Sequence, residues 1–164
     1  MTTAIILALV VAAVTALLIS RGKGSTPSAV APKPVVPTGP VHDVRVKFPK
    51  DEAWQWMYNY APGGQVFDVT GTGSMVPYFD GSEFIVVASN YAGIKLGDVV
   101  AYRTVGGTAP AIGSMLIHRI VDGNAATGWI PKGDTPGNPI EDWNPITPAN
   151  YVGTLVAVFR QASN

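Results

Sequence analysis

Three strings, far apart along the chain, carry side chains suited to acyl-transfer chemistry. The first is residues 70–81, TGTGSMVPYFDG. Gly71 and Gly73 allow a sharp turn and the close approach of another strand. A serine on such a turn, here Ser74, can present its Oγ and its own backbone N–H to one carbonyl, which makes a nucleophile with half an oxyanion hole. Taken alone, the string is more simply a Gly/Ser turn between strands. The second string is LIHRIV, residues 116–121, an apolar run with His118 in its middle. A buried imidazole costs free energy unless both ring nitrogens are paired. Arg119 points to the opposite face, so one of the two faces inward. The third string is IPKGD, residues 130–134, followed by Glu141-Asp142-Trp143. Carboxylates there could hold an imidazole in one tautomer and stabilise the imidazolium. Turn chemistry also accounts for Gly133-Asp134 and Pro136-Gly137. Lys132 would serve as an alternative base if it were desolvated, but its Gly133-Asp134 neighbours argue against deep burial.

The elements that would position these groups follow from how the chain is segregated. Its 164 residues suit one ordinary domain plus an appendage. Residues 1–20 contain no charged side chain, and Ala4 to Ile19 is apolar apart from Thr15. As a helix this segment is about 30 Å long, the thickness of a bilayer core. It reads as a single transmembrane anchor. A cleaved leader is the weaker reading: the n-region has no Lys or Arg, and the small-x-small site Ala29-Val30-Ala31 lies well past the apolar run and is followed by Pro32. Residues 21–41 hold five prolines and three glycines, which disfavours helix and central strand alike, so this is a semi-extended linker. It carries three positive charges and no negative ones.

The remainder, residues 42–164, is large enough for a real core. It holds 8 basic and 11 acidic residues, a net charge of −3. No basic face is evident, so nucleic acid is not the expected partner. The chain has no cysteine, which excludes a disulfide framework, zinc-thiolate sites and a thiol nucleophile. No cofactor or metal is expected, and Gly71-Thr72-Gly73 lacks the later glycine and lysine of a phosphate loop. Residues 49–60, PKDEAWQWMYNY, read as a short helix or as a strand whose aromatics share one face. That cluster suits core packing and a membrane-interface belt about equally. His42, at the linker junction, reads as solvated. Strands are expected at 65–70, 82–89, 97–105, 114–123, 126–133 and 151–160, where β-branched and aromatic residues run between Gly, Pro and Asn. The fold class is therefore all-β, a barrel or coiled sheet.

In order, Ser74-Met75 with Pro77, Gly97-Asp98-Val99-Val100-Ala101-Tyr102, Ile117-His118-Arg119-Ile120-Val121 and Lys132-Gly133-Asp134 resemble the sequential boxes of type I signal peptidases. The resemblance covers roughly residues 66–158, behind an N-terminal apolar segment as in that family. The usual bacterial kind has a lysine base where this chain has His118. The endoplasmic-reticulum and archaeal kind has histidine, and this chain is similar to it. The resemblance implies Ser74 as nucleophile, His118 as general base and an aspartate behind the histidine, with Asp142 preferred and Asp134 the alternative. It also implies that the Thr72 hydroxyl joins the Ser74 N–H in the oxyanion hole. The chain departs from the pattern at Gly81-Ser82, where the family often has Gly-Asp. The spacing after Asp134 is also longer by about two residues, with Pro136 and Pro139 in it.

The function so implied is that of a membrane-anchored serine endopeptidase. Its partners would be the lipid bilayer and membrane-tethered precursor proteins with small residues before the cut. The domain would then stand on the outer side of the membrane, although Arg21 and Lys23 after the apolar run favour the cytoplasm. The alternative is a non-catalytic membrane or assembly protein that keeps a peptidase-like fold. A self-cleaving protein of the related SOS-repressor peptidase fold is a lesser one, since neither its Ser-Lys pair nor a DNA-binding domain is evident.

Overall fold

The structure, a computed structural model, describes residues 40–71, 73–106, 111–141 and 144–163. The expected anchor (1–20) and nearly all of the linker (21–41) lie outside the described residues. Among the described residues no helix is long and apolar enough to cross a membrane. The domain is predominantly β. Seven strands form one sheet: β1 (His42–Val46), β2 (Gln65–Asp68), β3 (Phe84–Ala88), β4 (Val99–Arg103), β5 (Met115–Asn124), β6 (Gly128–Lys132) and β7 (Tyr151–Gln161). Among the described residues one α-helix, α1 (Pro49–Tyr60), packs on it.

The sheet runs β2-β3-β7-β4-β5-β6, with antiparallel neighbours throughout. The eleven-residue β7 is the spine. Along one edge it carries β3. Along the other it carries β4 at its start, where Thr154 faces Val100, and β1 in parallel register at its end, where Ala157 faces His42.

Both faces of the central strands are covered, which is why β3 and β4 read as unbroken apolar runs instead of alternating ones. Ile85, Val87, Val99 and Ala101 face a cluster completed by Met75 and Phe79 of the Ser74 loop. Val86 and Ala88 face the other way, against Ala53 and Met57 of α1 and Ala61 just past its end. Val100 and Tyr102 belong to a third cluster with Ile120, Trp129 and Ile146. The side-chain period of two thus divides each strand between two packing layers.

Residues 49–60 are helix. Proline sits at the first turn with Asp51 and Glu52, where a fixed φ and negative charge favour a helix N-terminus. The buried positions Pro49, Ala53 and Met57 are four apart. The aromatics instead pair along the helix, Trp54 on Tyr58 and Trp56 on Tyr60. Trp56 packs inward against Phe159 and the ring of His42, while Trp54, Tyr58 and Tyr60 are exposed. His42, although exposed, opens β1 and stacks on Trp56. This strand was not among those expected.

A charged knot ties the far end of β7 to the Ser74 loop. Glu83 is fully buried, and its carboxylate accepts the backbone N–H groups of Asp80, Gly81 and Ser82. Arg160 pairs with Glu83 and with Asp43 of β1, and donates to the Tyr78 carbonyl at 2.8 Å. Without the Glu83 carboxylate the Asp80, Gly81 and Ser82 N–H groups lose their buried acceptor and Arg160 loses one of its two counter-charges. Glu83→Ala is therefore expected to cost about 3–5 kcal/mol in urea unfolding.

Candidate active site

Ser74 stands at the start of a tight loop running from β2 towards β3. Gly73 has φ +76°, a left-handed conformation in which a side chain would be strained. The loop is clamped from the segment after β6. The Thr135 N–H and Asn138 Nδ2 both donate to the Ser74 carbonyl, at 3.1 and 2.9 Å. The Thr135 hydroxyl bonds to the Gly73 carbonyl and accepts the Val76 N–H. Gly133 allows this approach: a Cβ there would lie 2.5 Å from the Ser74 carbonyl oxygen. Met75 and Phe79, both buried, anchor the loop to the core. The backbone beneath the serine is therefore held from both sides, so Oγ retains mainly its own χ1 freedom.

His118 lies on β5 opposite Val100 and is buried. Its Nε2 is 3.1 Å from Ser74 Oγ. Behind the ring, Nδ1 lies 2.7 Å from Glu141 Oε1. Tyr102 closes the array: its hydroxyl donates to Glu141 Oε2 at 2.7 Å and sits 3.0 Å from His118 Nδ1. These contacts are satisfied by one proton arrangement. Tyr102 stays protonated, because burial and then the charge of Glu141 push its phenol far above its ordinary value. Glu141 is the acceptor for the phenol and for Nδ1–H. Nε2 then carries the lone pair that Ser74 Oγ–H meets. That is the tautomer a general base requires.

Burial pushes the Glu141 carboxyl up, but the hydrogen bonds from His118 and Tyr102 outweigh it and leave the group below its ordinary 4.5. Folding therefore favours the ionised form. The stability this supplies is complete above the unfolded value of about 4.5 and is lost as pH falls through the lower folded one. The part of the unfolding free energy that depends on the Glu141 charge should be lost by wild type, but not by Glu141→Gln, as pH falls below about 4.5, as read by urea titrations at each pH.

Among the described residues, the carboxylate behind the histidine is thus Glu141. Asp134 is engaged elsewhere: Arg119 grips it through Nε and Nη2 at 2.8 and 2.6 Å. Arg119 also donates to the Gly97 carbonyl, and its guanidinium lies over the Tyr78 ring at 5.1 Å. Asp134 therefore braces the Ser74 loop through Arg119 and Tyr78, on the face of β5 opposite His118. Asp142 and Thr72, the expected aspartate and oxyanion-hole hydroxyl, lie outside the described residues. Lys132 ends β6 across from Arg119. Among the described residues no cluster of His, Asp and Glu could hold a metal.

Beside Ser74 runs a cleft of about 130 Å³, walled by Phe67 to Thr70 on one side and Met115 to Ile117 on the other. Both walls have open strand edges among the described residues. β2 pairs only with β3, and β6 covers β5 only from Arg119 onward. A smaller recess of about 20 Å³ opens at Ser74 among Val69, Met75, Phe79 and Ile117. Compared with known protein families, curated proteins and solved structures, the chain matches none.

Proposed function

We propose that this chain is a membrane-anchored serine endopeptidase with a signal-peptidase-like coiled-sheet fold, cutting precursor segments after small residues. The observation that carries the reading is the Ser74–His118–Glu141 line, with 3.1 Å from Oγ to Nε2 and 2.7 Å from Nδ1 to carboxylate. Three groups from three separate elements meet in the order that nucleophilic acyl transfer needs. A turn whose sole task was to join strands would not need a buried histidine and carboxylate behind its serine.

The cleft supports a peptide substrate. An extended segment can add to an open strand edge through main-chain hydrogen bonds, with side chains alternating into pockets. The small recess beside Ser74 suits a methyl-sized side chain. Ser74 Oγ attacks the scissile carbonyl as His118 takes its proton, forming a tetrahedral adduct. The imidazolium, steadied by Glu141, returns that proton to the leaving amine, leaving an acyl-serine. Water, deprotonated by His118 in turn, releases the acid and regenerates Ser74. The Ser74 N–H, with Thr72 as second donor, would steady the oxyanion. The apolar segment would hold the site at the bilayer, on its outer side, raising the local concentration of membrane-tethered precursors. The test is cleavage of a precursor bearing an Ala-x-Ala site, compared between wild type and Ser74→Ala.

A further inference from the structure

Tyr102 is a residue that neither sequence pattern nor the Ser–His–carboxylate logic requires. It is fully buried on β4, with Leu116 as its cross-strand neighbour on β5. His118, two residues further along β5, is therefore its diagonal neighbour on the same face, a spacing an aromatic side chain can bridge. The ring centroids are 6.0 Å apart. An aliphatic residue would serve the surrounding cluster of Val100, Ile120 and Ile146 equally well, and a phenol buried there is costly unless its hydroxyl is used.

The use follows from the carboxylate being a glutamate. Glutamate has one more side-chain torsion than aspartate, so a single contact to His118 leaves Oε2 free to swing the carboxylate off the ring axis. Tyr102 occupies that second oxygen at 2.7 Å while Nδ1 holds the first at 2.7 Å. We propose that Tyr102 is a positioning residue: it holds Oε2 of Glu141 and so keeps Oε1 on the ring axis, so that His118 keeps its proton on Nδ1 and presents a bare Nε2 to Ser74. The contribution to turnover rests on the peptidase reading, whereas the hold on the His118 tautomer does not.

Two readouts separate this role from packing. The first is nitrogen-15 NMR of histidine-labelled full chain in detergent micelles, where wild type should show the neutral His118 ring carrying its proton on Nδ1. Tyr102→Phe keeps the ring and should give a mixture of tautomers with faster exchange of the Nδ1 proton. A 3-fluorotyrosine at 102, a near-isosteric and more acidic donor, should move the same proton resonance even if Tyr102→Phe folds poorly. The second is a double-mutant cycle on precursor cleavage. Tyr102→Phe should lower kcat about 10-fold with KM little changed, and should cost little more once Glu141 is already glutamine. A wild-type His118 spectrum in both Tyr102 variants would overturn the proposal. So would losses that simply add in the cycle. If the chain cleaves no precursor, the peptidase reading fails, yet the spectra still decide whether Tyr102 sets the histidine tautomer.

Discussion

Replacing Ser74 with alanine should remove precursor cleavage, by about 10⁴-fold or more in kcat, and leave the fold intact. The rate loss follows from the geometry: Oγ is the atom within reach of the bare Nε2, and alanine has nothing for His118 to deprotonate. The small stability effect follows from where the loop is anchored. Its clamps from Thr135 and Asn138 engage the Ser74 carbonyl, which alanine retains, and its buried anchors are Met75 and Phe79. Circular dichroism and urea midpoints should therefore match wild type while turnover vanishes. His118→Lys should be as inactive on the precursor as His118→Ala. A lysine would place a strongly basic ammonium against Glu141, which would hold it charged and useless as a base at neutral pH.

Glu141→Gln is expected to be the next most damaging change, lowering kcat by about 10³- to 10⁴-fold with a smaller effect on KM, as for the equivalent change in a Ser-His-Asp triad. The amide can turn its NH₂ toward Nδ1, which would then have to accept and leave the proton on Nε2, the wrong side for Ser74. If it turns its oxygen there instead, the NH₂ faces the Tyr102 hydroxyl, which must then accept. Either way the imidazolium formed in the transition state loses its counter-charge. Rates measured from pH 5 to 9 should separate this from general destabilisation, because a tautomer defect persists across the range in which the protein remains folded.

Much of the fold could be read from residue types, and the exceptions have physical causes. The six expected strands lie where β-branched runs are bounded by turn formers, and each overlaps a strand of the sheet. β1 was missed because His-Asp-Val-Arg-Val has little apolar content of its own. It is held by parallel pairing to β7 and by the Asp43–Arg160 contact, neither visible locally. Residues 49–60 were ambiguous because the four aromatics recur every second residue, whereas the small buried positions recur every fourth and decide the helix.

The site divides in the same way. Ser74 and His118 could be singled out because a serine just after two turn glycines and a histidine in an apolar strand are locally odd. Their meeting depends on the crossing of the Ser74 loop over β5, which no local pattern shows. Glu141, the carboxylate the structure sets behind His118, had no local signal to distinguish it from its neighbours. After Gly133 the chain doubles back along β6, with Ile140 bridging to Lys132 and the Glu141 N–H bonding to the Pro131 carbonyl, and this register turns Glu141 inward. A loop containing Pro136 and Pro139 gives no period from which to read that. Tyr102 offered one local signal, a hydroxyl directly after the aliphatic run Val99-Val100-Ala101.

The most direct measurement of the central claim is mass-spectrometric mapping of the cut. The full chain, in lipid vesicles or detergent micelles, is incubated with a membrane-anchored precursor carrying an Ala-x-Ala site. A product beginning immediately after the second alanine, formed by wild type and absent with Ser74→Ala, is the predicted result. Equal processing by both proteins, or no processing by a folded wild type across a series of such precursors, would contradict the account.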